Sequence, residues 1–313
     1  MKPNIWKRSE GFLFPVESDR WLSVLRAGVG LQVILYCVST RPEWRNTFSL
    51  QSAGPVKRDL TEAILSADSH FIPRMGWLVD LGARAGISEQ IVLEMVWWCL
   101  LLAALCLFAG LFCRASTIAA AFLHLCAVKS GGALSYGADI FTTVGLFYLV
   151  ASPLPDRFSL DRYLRGKQSK YADLNGFFRR ALQAHLCVVY FFSGIAKCAG
   201  AGWWNGESIW RALIRPPFNT ISPDLLIHWR YLFPVISISV CILETAYPIF
   251  MWPKRTRWMW LAAILAMHAA IGFLLGMYLF ALTMILLNVA AFGRPFPWRQ
   301  RRSARVLASA SAA

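Results

Sequence analysis

The chain has 313 residues, of which 57% are hydrophobic and only 16% charged, and its mean hydropathy is +0.48. That composition excludes an ordinary soluble globular domain and belongs to a protein that crosses the membrane several times. A net charge of +15 in a soluble protein would suggest nucleic acid, but here the basic residues gather between apolar runs, where they set topology and touch anionic lipid, so no nucleic-acid partner is expected.

In chain order, the N-terminal segment 1–19 is polar and contains prolines. It lacks the apolar core and small-residue cleavage site of a secretory signal, and is expected to stay on the mature protein. A helical span needs roughly 20 apolar residues. On that template eight segments follow, near 20–40, 90–112, 115–131, 136–153, 179–200, 232–252, 256–273 and 275–293. The last two form one long apolar stretch with glycines at 272 and 276, where a turn fits. The fold class is therefore all-α, a polytopic transmembrane helix bundle of about 8 spans. Its domains are a segment 1–19, a transmembrane domain 20–293 and a basic, disordered tail 294–313.

Lys and Arg favour the cytoplasmic side of a membrane. With eight spans both termini share one side. It holds Lys2, Lys7, Arg8 and Arg20, seven basic residues in 155–180, Lys254, Arg255 and Arg257, and Arg294, Arg299, Arg301, Arg302 and Arg305. The opposite side holds loop 41–89, with six basic and six acidic residues, and loop 201–231, with three basic residues. Both termini are thus expected in the cytoplasm, and the location is the cytoplasmic membrane. The two long external segments mix Trp, Arg and aliphatic residues, the pattern of short helices lying in the interface.

Ionisable residues inside spans are costly and mark sites by default. Gln183, Tyr190 and Lys197 recur every seven residues on one helical stripe, with Gly194 three residues before the lysine. Lys197 lies near the external end, where it either faces inward as a base or snorkels to the interface. Glu244 stands mid-span in CILETAYPIF, three residues before Tyr247, with Pro248 at i+4 predicting a kink. A carboxyl at that depth is protonated or paired, either as a proton carrier and partner of Lys197 or as a helix-to-helix hydrogen bond.

His268 stands mid-span above Gly272 and Gly276, a stripe suited to close helix approach. Tyr136 and Asp139 stand at the external mouth of the fourth span, where Asp139 either caps the helix or meets Lys197. Arg26, six residues into its span, is expected to snorkel toward the cytoplasm. Five scattered histidines without HxxxH or HExxH, and eight cysteines without CxxC, give no metal site; the cysteines read as small buried hydrophobes.

One set of stretches carries a resemblance. An aromatic run followed by SGIAK, a small-residue spacer, Trp and NGE resembles the HTTM family of vitamin K-dependent gamma-carboxylase-like membrane proteins. ALSYGADIFTTVGLFYLVASP resembles that family's span ending in Ser-Pro, and MHAAIGFLLGMYLFALTMILLNVAAF its histidine-bearing final pair. With LETAYPIF, the similarity runs from about 90 to 293.

In the carboxylases the matching lysine is the base toward reduced vitamin K, so the resemblance implies that Lys197 is a catalytic base with Glu244, Asp139 and His268 beside it. It implies a reduced quinone, vitamin K-like, as cofactor, with Tyr190, Trp203, Trp204 and Tyr136 around it. Where the carboxylases carry an Asn-His pair, this chain has Ser135, Tyr136, Gly137, Ala138 and Asp139. A compact chain with that mouth is more similar to the bacterial sporulation-delaying protein B group, associated with maturation of a secreted peptide toxin. The partners then implied are membrane lipids, a secreted peptide substrate and a small accessory protein. Two other readings need no catalysis: a membrane chaperone that holds a hydrophobic exported peptide on the Trp-rich loop 201–231, and a transporter, although no inverted repeat is visible.

Overall fold

The computed structural model describes residues 10–50, 58–166, 171, 174–218 and 220–293. The N-terminal lysines 2 and 7, Arg8 and the tail from 294 onward lie outside the described residues. Among the described residues the regular structure is all helical. A helix occupies each of the eight apolar segments: α1 Arg20–Thr40, then, after a long connecting segment, α5 Glu89–Ala109, α6 Cys113–Ser130, α7 Gly137–Ala151, α9 Asn175–Cys198, α13 Phe233–Thr245 with α14 Tyr247–Phe250, α15 Arg257–Leu275 and α16 Tyr278–Phe292. The intervening short helices are α2 Trp44–Phe48, α3 Arg58–Asp68, α4 Met75–Arg84, α8 Leu160–Arg165, α10 Ala201–Trp204, α11 Glu207–Ile214 and α12 Pro223–His228. By length and composition α1, α5, α9 and α15 are able to cross a membrane, and α7 and α16 are shorter apolar helices.

In hydrocarbon every backbone polar group must be satisfied internally, and a helix does this within one segment. The helices then associate through packing. α1 runs along α5 and α16, α5 along α6, α9 along α13, and α15 along α16. The common core includes Leu25, Val29, Val33, Leu100, Leu107, Leu146, Leu287 and Phe292. The outward faces keep Trp98, Leu102, Phe192 and Phe273 exposed, as a lipid-facing surface does. The turn expected inside the last apolar stretch falls at Gly276, where φ is +68°. A side chain would strain that conformation. Gly272, by contrast, stays within α15, with Ala281 of α16 packed directly beside it.

Arg26 does not snorkel. It is 3% exposed, and its guanidinium donates to Asp156, to the carbonyls of Leu107 and Phe108 at 2.7 Å each, and to that of Phe158 at 3.3 Å. The last carbonyls of α5 have no donors of their own within the helix, so Arg26 satisfies them while Asp156, fully buried and also accepting from Ser23, neutralises its charge. Five residues on, the Asp161 carboxylate serves the facing helix end, accepting from the backbone N–H groups of Phe112 and Cys113 at the start of α6, at 3.0 and 2.7 Å. The turn between two neighbouring helices is thus closed from both sides by one segment.

At the other end of α6, the segment that carries α3 and α4 is bound to that helix. Glu62 of α3 accepts from Ser130 at 2.6 Å and from the Gly76 N–H at 2.9 Å, and Ser130 in turn accepts from the Met75 N–H at 2.7 Å. Arg74, 6% exposed, donates to the carbonyls of Glu62, Ser69 and His70 at the end of α3. α4, α11 and α12 confirm that short helices form in both long segments.

Removing one partner of a buried pair leaves an uncompensated charge. Asp156→Ala is expected to cost about 3–5 kcal/mol on that basis, whereas a surface replacement such as Tyr163→Ala should be close to neutral. Thermal unfolding of the two variants in detergent, followed by intrinsic fluorescence, provides the comparison.

Candidate functional site

α9 and α13 pack antiparallel and unusually close. Gly194 is the reason: a Cβ there would fall 2.5 Å from the backbone N of Thr245 and 2.9 Å from its Cα. With no side chain in the way, the flanking residues of the two helices meet in pairs. One turn inward, Tyr190 stacks on Tyr247 with ring centroids 4.2 Å apart. On the outer side, Lys197 Nζ lies 2.6 Å from Glu244 Oε2.

Lys197 therefore turns inward rather than along the interface. Its ammonium also donates to Ser193 Oγ, four residues back, at 2.6 Å, and lies 5.4 Å from the centre of the Trp203 ring. Glu244 is 8% exposed and Lys197 22%, so the pair opens toward its surroundings on the lysine side. α13 ends at Thr245, and Tyr247 begins a separate short helix, which places the break expected from Pro248 immediately beyond Glu244.

Below the pair lies a buried polar chain. Tyr247 donates its hydroxyl proton to Asn288 Oδ1 at 2.7 Å, and Asn288 Nδ2 donates to Tyr190 Oη at 2.8 Å and to the Met284 carbonyl at 2.8 Å. The Met284 carbonyl fixes the orientation of the amide, since an oxygen cannot sit against an oxygen there. Tyr190, receiving a proton from Asn288, is left to donate its own to His268 Nε2, 2.6 Å away. A neutral His268 then carries its proton on Nδ1, a buried atom without a hydrogen-bond partner among the described residues. The pair and the chain share α9, with Tyr190 two turns before Lys197 on the same stripe.

Of the residues singled out from the sequence, the structure brings together Lys197, Glu244, Tyr190, His268 and Trp203. Asp139 and Tyr136 are elsewhere: Asp139 accepts from the Tyr136 N–H at 3.0 Å and caps α7. Trp204 is 54% exposed and donates to the Cys198 carbonyl at 2.8 Å. Gln183 shares the stripe but bonds the Ala291 carbonyl at 2.6 Å and accepts from Arg180 at 2.9 Å. Asn288 and Ser193 were not anticipated. Asn288 is the single amide in the apolar run MILLNVAAF, a signal as clear as that of His268. Ser193 was legible as the residue one turn before Lys197. The described residues include no group of three or more His, Cys, Asp or Glu able to hold a metal ion.

Residues 85–295 match the HTTM domain, a stretch that contains every member of this cluster. The chain belongs to the HTTM domain family. It is thus a membrane protein of the gamma-carboxylase-like class. No curated protein and no solved structure matches it.

The pairing of Lys197 with Glu244 predicts an asymmetry between two substitutions in this HTTM protein. Glu244→Gln keeps an acceptor for the lysine and should leave folded yield within about twofold of wild type, whereas Glu244→Lys sets two ammonium groups against each other and should reduce it strongly. Fluorescence-detected size-exclusion chromatography of detergent extracts reads both, and equal yields would show the site to be water-filled.

Proposed function

We propose that this HTTM protein modifies an exported peptide at the membrane, with Lys197 as the base. The observation that carries the reading is the 2.6 Å contact between Lys197 Nζ and a Glu244 carboxylate that is 8% exposed. In a medium of low dielectric, moving one proton from the ammonium to the carboxylate turns two charges into none without changing the net charge of the pair. A neutral amine results, oriented by Ser193 and facing Trp203. Glu244 thereby acts as the proton store and Lys197 as the group that takes a proton from whatever lies on its open side.

A reduced quinone fits the donors present. Lys197 would supply the proton acceptor beside a hydroxyl of such a group, and the Trp203 indole offers a flat apolar face 5.4 Å from the lysine nitrogen. The group would supply oxygen-driven base strength when bound. The chain contributes the proton acceptor and, through Glu244, the place where the proton is kept. Tyr190 belongs to the support of this site: 2% exposed, it ties α9 to His268 of α15 and Asn288 of α16 by hydrogen bonds and stacks on Tyr247 of α14. The mouth at Tyr136 and Asp139 lacks the Asn-His pair of the carboxylases, which favours a peptide modification other than glutamate carboxylation, as in the sporulation-delaying protein B group. The reading includes both termini in the cytoplasm, with the cluster toward the outer face of a bacterial cytoplasmic membrane.

A second reading rests on Trp229 and Tyr231, which are 51% and 74% exposed on the segment after α12. In it the chain holds a hydrophobic peptide on that aromatic surface without altering it.

Arginine separates the two. It retains charge and reach but does not give up its proton. Under the base reading, Lys197→Arg and Lys197→Ala both abolish the mass-shifted form among peptides exported by producing cells, measured by mass spectrometry at matched protein levels. Wild-type peptide masses from the arginine variant would remove Lys197 from the chemistry. Topology is tested apart from chemistry: a reporter inserted at Ser66 should be external and one fused after Ala313 cytoplasmic.

A further inference from the structure

The register that joins Lys197 to Glu244 also brings together two cysteines that the proposed chemistry does not use. Because α9 and α13 are antiparallel, a step of one turn forward on α9 matches a step of one turn back on α13. Gly194 lies against Thr245. Cys198 is one turn beyond Gly194, and Cys241 one turn before Thr245, so the two thiols face each other across the same interface. Cys198 Sγ lies 3.7 Å from Thr245 Oγ1, and its thiol also interacts directly with that of Cys241.

Helices ordinarily pack with axes about 8–10 Å apart, and a disulfide needs Cα atoms within about 7 Å. The two cysteines lie one turn from the close approach at Gly194, where the helix backbones are nearer than that ordinary spacing. The two sulfurs differ in access: Cys241 is 2% exposed, while Cys198, the last residue of α9, is half-buried. Both are free thiols in the structure.

We propose that Cys198 and Cys241 form a redox-active dithiol that exchanges with a low-molecular-weight disulfide from the aqueous phase at this end of the bundle. Cys198, the reachable sulfur, attacks the disulfide R–S–S–R as thiolate, forming a mixed disulfide and releasing one RS⁻. Cys241 then loses its proton, attacks the Cys198 sulfur and expels the second RS⁻. The two thiol protons end on two RSH molecules, and the two electrons pass from the cysteines to the oxidant. The oxidised form ties α9 to α13 covalently, one residue from Lys197 and three from Glu244. It does not depend on what those two residues do.

The test uses the purified full chain in detergent with oxidised glutathione as the probe, followed by acid quenching, denaturation, maleimide alkylation and peptide mass spectrometry. Wild type should lose two of its eight maleimide additions and yield a Cys198–Cys241 linked peptide, with both changes reversed by dithiothreitol. Cys241→Ser should accumulate a glutathione adduct on Cys198. Cys198→Ser should leave Cys241 free of adduct. Full alkylation of the oxidised wild type would overturn the proposal, as would a bond from Cys198 to another cysteine or to a second copy of the chain. An adduct on Cys241 in Cys198→Ser would overturn the assigned order of attack.

Discussion

The missing side chain at position 194 is the constraint on which the rest of the site depends. Helices in a bilayer gain little from hydrophobic burial against one another, since lipid is as apolar as leucine, so contact must come from close fit and from polar groups. At Gly194 the backbones of two helices touch, and each pairing along α9 and α13 follows from that contact: aromatic stacking inward, an ion pair outward and the cysteines beyond it. A methyl group there would press on the Thr245 backbone as well as on its hydroxyl, and because the backbone cannot swing aside the helices would have to part. Lys197 and Glu244 would then each be left with a desolvated charge.

Charge is handled the same way throughout the bundle. Arg26, Arg74, Asp156 and Asp161 are all buried: Arg26 and Arg74 bond carbonyls at or just past helix C-termini, Asp161 bonds N–H groups at a helix start, and Asp156 neutralises Arg26. These residues let chain reversals lie inside the protein instead of in water. Lys197 and Glu244 are different. Their contact joins two helices side by side and engages side chains alone.

The helices were legible because hydrocarbon imposes a length on apolar runs, and a helix formed on every segment so identified. Lys197, Glu244 and His268 were legible because an ionisable group in such a run is rare and costly. Their partners were less so. A seven-residue spacing gives the stripe on α9 but not which helix faces it, and the position of Lys197 near the end of its run favoured snorkelling over the inward placement that the structure has. Arg26 misled for a related reason: its distance from the span's end suggested snorkelling, while the partner that holds it, Asp156, lies in a connecting segment that reads as solvent loop. Asn288 was missed because a neutral amide carries no obvious chemistry, although its two donors and one acceptor organise both tyrosines.

The direction of the chain from Tyr247 through Asn288 and Tyr190 to His268 has a consequence for compartments. Hydroxyls and imidazoles hand protons onward by exchanging a covalent bond for a hydrogen bond, but a carboxamide does so only through a high-energy imidic form. Asn288 therefore interrupts the row as a conductor while completing it as a scaffold. Along this row, then, the amide separates the two tyrosines as proton carriers while holding both in place, so the row does not by itself link one end of the bundle to the other for protons.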